Sequence, residues 1–207
     1  MNMHKCIALS LFLWMGFYLQ GQANWEVHKK TSDYTIWLKN APGQEIKQFK
    51  KEAIITADIQ SAYKILKDVQ NMHLWYDKVK KVSLLKTISD NEGIYLLEYD
   101  LPFPFEDRIA TVRGKIDMAA DKNSFTVETK NFPFPIPADK QKMELITTIY
   151  SSWKISEVND TQIKIIHEGY MNPGGNVPVW LTNESITSGP PKTLSGFKKM
   201  MVKYQAK

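Results

Sequence analysis

Two arginines stand against 25 lysines in this chain, and both fall in one short segment, as Arg108 and Arg113. A guanidinium makes partly buried, planar ion pairs better than an ammonium does, so a chain with a lysine surface either reserves this segment for binding or pairs the two by chance. Glu98, Asp100, Glu106 and Asp107 supply carboxylates nearby. Strand alternation puts Arg108, Ala110, Val112 and Gly114 on one face and Arg113 on the other. If the small apolar residues of that face line a cavity, Arg108 lines it too. The plainer reading is a rim salt bridge between Asp107 and Arg108, worth under ~1 kcal/mol.

Other chemistry is thin. His28, His73 and His167 are scattered without a second ligand at metal spacing, so His73 and His167 read as satisfied structural histidines. There is no Gly-x-Ser-x-Gly nucleophile turn, no phosphate-cradling Gly-rich loop and no His-Glu-x-x-His helix. No catalytic residue, metal or cofactor is expected. Asn159-Asp160-Thr161 and Asn183-Glu184-Ser185 match the glycosylation triplet, which matters only in a eukaryotic source.

The 207 residues are 43 % hydrophobic, enough for one domain with a real core. His4 and Lys5 precede an apolar run of 14 residues, Cys6 to Leu19, and Gly21-Gln22-Ala23 offers small residues for cleavage. The run is short for a spanning helix. The division is therefore 1–23 as a signal peptide and 24–207 as the mature domain, exported to a periplasm or secreted. Cys6 is the only cysteine, so the mature chain has no thiol, disulfide or thiolate metal site. The net charge of +5 includes Lys5 and is too diffuse to argue for nucleic acid.

The mature chain reads as a serial β protein with two helical regions. Tyr34 to Leu38 alternates, stops at Ala41-Pro42-Gly43, and is followed by an extended segment from Glu45 to Thr56. Asp58 caps a helix in which Ile59, Ala62, Tyr63, Leu66 and Val69 form one stripe reaching to Trp75. Strands follow at Val79 to Ile88, Ile94 to Leu101, Glu106 to Met118, Ser124 to Lys130, Glu144 to Val158 and Thr161 to Met171. Short loops between them imply an antiparallel meander. The turn Pro173-Gly174-Gly175 then leads through Pro178 into a terminal helix, where Leu194, Phe197, Met201 and Tyr204 share a face. Ser188-Gly189-Pro190-Pro191 should split that helix into Val177 to about Ile186 and Lys192 to about Tyr204. The fold class is α+β, with one curved sheet around a C-terminal helix.

Strand faces suggest space inside. Tyr95, Leu97, Tyr99 and Leu101 alternate on one side, as do Leu145, Thr147, Ile149, Ser151 and Trp153. Aromatic and small polar residues mixed on an inward face leave room for a cavity. Phe132-Pro133-Phe134-Pro135-Ile136-Pro137 cannot be a regular central strand, and places two phenylalanines on a loop that either caps a cavity mouth, touches lipid headgroups or anchors itself in the core.

Three blocks in order resemble the START domain, the lipid-transfer branch of the helix-grip superfamily. They are Leu66 to Asp77 with Trp75 near its end, Leu101-Pro102-Phe103-Pro104-Phe105-Glu106-Asp107-Arg108, and the Pro-Gly-Gly turn with Pro178, Trp180, Leu181 and Asn183, followed by Pro191 and Leu194. Where that family continues with a second Asp and an aromatic residue, this chain has Ile109-Ala110. The resemblance implies a helix-grip fold whose internal hydrophobic tunnel holds one lipid or sterol-like molecule and releases it during transient contact with a membrane surface. It also implies an arginine near the ligand's polar end, a role that falls to Arg108. The expected cavity wall is Trp75, Tyr95, Leu97, Tyr99, Arg108, Ala110, Val112, Ile149 and Trp153. Trp180, Leu194, Phe197 and Met201 form the helical lid, hinged at the prolines, and Leu194→Asp should expose the cavity with the sheet still folded. The protein is expected to be a monomeric carrier and not an enzyme. The alternatives are a helix-grip enzyme of the cyclase/aromatase type acting on a hydrophobic small molecule, and an interaction domain whose pocket is filled by its own aromatics.

Overall fold

A computed structural model describes residues 24–205, and the segment read as a signal peptide lies outside them. Three antiparallel strands come first, β1 (Glu26–Lys30), β2 (Thr35–Asn40) and β3 (Lys47–Thr56). Then follow α1 (Ile59–Lys67) and a 3-10 stretch at Val69–Leu74. The meander runs through β4 (Val79–Ser89), β5 (Glu92–Tyr99), β6 (Arg108–Met118) and β7 (Ser124–Asn131), the two-residue β8 (Glu144–Leu145), β9 (Thr148–Asn159) and β10 (Gln162–Asn172). The last element is α2 (Val179–Gln205). Among the described residues no helix is long and apolar enough to cross a membrane.

Nine strands make one sheet in the order β1-β2-β3-β10-β9-β7-β6-β5-β4, with β8 added in parallel beside β6. Period-two burial fixes its inner face. In β10, Ile163, Ile165, His167 and Gly169 are buried and the residues between them are half-exposed. Asp58 caps α1 by accepting from the Ser61 amide at 2.8 Å, and Ile59, Ala62, Ile65 and Leu66 turn inward. The largest core group joins these residues to Trp75, Trp153, Leu194, Phe197 and Met201, so α1 and α2 pack on each other and on the sheet.

The structure departs from the sequence reading in four places. β1 was not expected, because its side chains are exposed along its whole length and carry no alternation. The segment from Glu144 breaks after Leu145, so β8 and β9 are separate strands and Leu145 is 37 % exposed. The first helix ends at Lys67 and reaches Trp75 as a 3-10 stretch. Finally, α2 is one helix with Pro190 and Pro191 inside it, not two pieces.

Packing on both sides of the prolines overrides their helix-breaking tendency. Ile186 packs with Ile36, Ile46 and Phe49 at one end, and Leu194 and Phe197 pack with Trp75 at the other. Polar contacts tie α2 down along its length, three of them in its first half and around the prolines. Asn183 Oδ1 accepts from the Lys47 amide at 2.7 Å, the Pro190 carbonyl from Lys51 Nζ at 2.9 Å, and Thr193 Oγ1 from the Asp77 amide at 3.2 Å.

Candidate functional site

Between the sheet's inner face and α2 lies a predominantly apolar cavity of about 280 Å3, close to the lower end of small-molecule sites. On β5, alternation turns Tyr95, Leu97 and Tyr99 into it, and Leu101 follows just beyond the strand. Val112 and Gly114 of β6 face them, with Ile149, Ser151 and Trp153 of β9 and His167 of β10 further round. Trp75 and Tyr76 close the side below α1.

The α2 wall was missed in the sequence. Leu181, Thr182, Ser185, Ile186, Gly189 and Pro190 line the cavity. Their spacing of three and four was the available signal, but it lies in the polar half of the helix, where Leu181 and Ile186 are the only large apolar residues on the inward stripe. Leu194, Phe197 and Met201 are instead almost fully buried between α1, α2 and the sheet. They are core and not cavity wall. Leu194→Asp would therefore strike the core of the domain as well as its lid.

Trp180 points away from the cavity and is 67 % exposed. One residue off the inward stripe is enough to turn it to solvent. Ala110 does not line the cavity and is fully buried in a packed cluster with Val79, Leu97 and Tyr99. Phe132 and Phe134 are half-buried and do not line the cavity.

Arg108 satisfies neither reading made for it. It is 5 % exposed and lies outside the cavity wall, and it donates to three backbone carbonyls: Glu106 at 2.7 Å, Pro173 at 3.3 Å and Asp107 at 3.5 Å. Asp107 pairs with Lys80 instead, at 2.5 Å. The guanidinium thus pins the turn that enters α2. In that turn Gly174 and Gly175 have φ of +68° and +58°, the left-handed region that favours glycine. Arg113, on the opposite face, pairs with Glu92 at the surface.

The polar chemistry of the cavity centres on His167, expected to be a satisfied structural histidine but left with an unpaired Nδ1, together with Ser151 of the expected inward row and Tyr76. Tyr76 Oη and Ser151 Oγ each lie 3.3 Å from Nε2 of His167. The His167 ring stacks on Trp153 at 3.9 Å between centroids and meets the edge of Phe49 at 4.8 Å. Its Nδ1 is buried without a partner. Burial, reinforced by the charge on Lys51, holds the imidazole well below its ordinary range, so it is neutral. Burial pushes the Tyr76 phenol up to about 12. Lys51 sits across from His167 in the β3–β10 register, with its ammonium 5.4 Å from the centre of the Trp153 ring. Desolvation, with Lys198 adding repulsion, brings Lys51 down to about 7. Among the described residues no group of three or more His, Cys, Asp or Glu could hold a metal ion.

A large curved antiparallel sheet gripping a C-terminal helix over a cavity is the helix-grip fold of START domains. Among solved structures, a STAR-related lipid transfer protein from Xanthomonas axonopodis superposes with a TM-score of 0.74 at 22 % identity. The match covers 86 % of this chain and 98 % of that one. An uncharacterized protein of Pseudomonas aeruginosa is 22 % identical over 175 residues, 84 % of this chain and 85 % of that protein. START domain-containing protein 10 of Mus musculus is 18 % identical over 188 residues; this is 89 % of the present chain but 64 % of the mouse protein. No family model matches the chain.

Proposed function

We propose that this protein binds one lipid or sterol-like molecule in the cavity between its sheet and α2, and carries it between membranes without altering it. The observation that carries this reading is the cavity itself, an apolar space under α2 inside a domain otherwise closed around its own core. Burying a lipid chain there gains about 0.8 kcal/mol per methylene, so a ten-carbon segment gains about 8 kcal/mol, of the order of what association costs. The likeness to a solved lipid transfer protein supports the same reading.

Two further elements belong to the proposal. Export, with removal of 1–23, would place the carrier in a periplasm or outside the cell. Transient membrane contact would use Phe103, 97 % exposed on the loop before β6, and Trp180 at the start of α2; the carrier works as a monomer and without nucleic acid. The test is incubation of the protein with vesicles of mixed lipids, followed by reisolation and extraction. Recovery of one lipid class, chemically unchanged and near one molecule per chain, supports a carrier. A product differing from the lipid supplied would favour the helix-grip enzyme reading instead.

A further inference from the structure

The trio Tyr76, Ser151 and His167 has more hydrogen-bonding capacity than it can use internally. A neutral imidazole offers one donor and one acceptor, and both hydroxyls compete for the single Nε2 atom. Ser151 also hydrogen-bonds Tyr76, so the two O–H groups can be used within the trio, while lone pairs on the oxygens stay open and the buried Nδ1 has no partner. Leaving such groups unpaired in an apolar surround is costly. All three residues line the cavity, and the wall around them is apolar.

The charge of the site narrows what completes it. His167 and Tyr76 are neutral, and Ser151 carries no charge, so the trio cannot compensate a phosphodiester. The neighbouring ammonium of Lys51 is committed to the Pro190 carbonyl and does not line the cavity. It lies 5.4 Å from the ring centre of Trp153, close to the aromatic groups a quaternary ammonium would seek, and repels a second cation there.

Resting on the carrier reading above, we propose that Tyr76, Ser151 and His167 form a receptor for one uncharged hydroxyl, so that the cargo is a neutral hydroxylated lipid bound with its oxygen inward. A sterol and a long-chain alcohol share this chemistry. A site built to pair a hydroxyl discriminates strongly against the analogue that lacks it, because its own polar groups are then left empty.

The experiment titrates the protein with two matched pairs of fluorescent probes, dehydroergosterol with its 3-deoxy analogue and pyrenyl-dodecanol with pyrenyl-dodecane, and with pyrene-labelled phosphatidylcholine. The expected result is a preference of about tenfold or more for the hydroxyl member of at least one pair. In Ser151→Ala and in Tyr76→Phe that preference falls to about twofold or less. The first of these removes a single oxygen from a strand, so loss of the fold does not confound it. Scaffold preference between the pairs tells sterol from alcohol. Equal affinity within both pairs, a preference that survives both substitutions, or uptake of phosphatidylcholine alone would overturn the receptor while leaving a carrier. Failure to bind any of the five probes would overturn the carrier reading and the receptor with it.

Discussion

Lys51 Nζ donates to the carbonyl oxygen of Pro190 at 2.9 Å, joining the inner face of β3 to α2 at its proline pair. The prolines lack N–H groups, so the carbonyls of Ile186 and Thr187 lose the donors that an uninterrupted helix would supply. Lys51, fully buried and paired with no carboxylate among the described residues, anchors the helix where its own ladder is weakest. The contact holds the lid to the sheet beside the cavity, at the cost of burying an ammonium.

That burial makes stability depend on pH. The unfolded chain titrates Lys51 near its ordinary value of 10.5, the folded chain near about 7. Between those limits the unfolded state binds more protons, so stability rises with pH, and the full penalty is present below about pH 7. His167 acts in the same sense further down, since below its ordinary 6.5 the unfolded chain takes up a proton that the folded site refuses. Urea midpoints should climb from about pH 5 to about pH 9. Lys51→Met should flatten the climb above pH 7 and stabilise the protein by about 1 kcal/mol or more near pH 6. A midpoint unchanged across this range would contradict the assigned burial.

Gly196→Ala should reverse the usual helix rule. In an open helix the change stabilises by about 1 kcal/mol. Here a Cβ at 196 would lie 2.3 Å from the Trp75 carbonyl oxygen and 3.0 Å from its Cα, so α2 would have to lift off the Trp75 backbone. A loss of about 1–3 kcal/mol is expected in denaturant titration. A gain in stability would show that the two segments do not touch so closely.

Leu194 tests how the lid is fastened. At 2 % exposure inside the main core, Leu194→Ala should cost about 2–5 kcal/mol and lower the stability of the whole domain. Leu194→Asp should cost more and prevent a stable fold, not release ligand from an intact sheet. A folded, empty Leu194→Asp protein would favour the hinged lid.

Much of this architecture was legible in alternation. Tyr95, Leu97 and Tyr99 announced an inward face, and the turn at Pro173–Gly175 announced the entry to α2. What escaped were residues whose types argue against their positions. Lys51 reads as surface, yet it occupies the inward slot between Phe49 and Ala53, a signal carried by register and not by residue type. His167 lies in the inward row of β10 beside Ile165 and Gly169, and only the fold brings it to Tyr76, 91 residues away. The proline pair promised a break that long-range packing suppressed. Arg108 invited a ligand role because its face pointed inward, while its reach took it to the Pro173 carbonyl.

Exposed aromatics should govern transfer and not retention. Trp180→Ala and Phe103→Ala leave the cavity wall intact, since neither residue lines it. Losing an aromatic anchor of this size removes about 1.5 kcal/mol or more of interfacial burial, so lipid exchange between vesicles should slow about tenfold. The bound fraction at equilibrium should change little. Unaltered exchange rates in the double substitution would mean that another surface meets the membrane.

The carrier claim is tested most directly by native mass spectrometry of the protein purified from its own source, followed by organic extraction of whatever is released. A single additional mass per chain is expected, belonging to a neutral lipid and recovered intact. A protein that arrives empty and then takes up no lipid from mixed vesicles would contradict it.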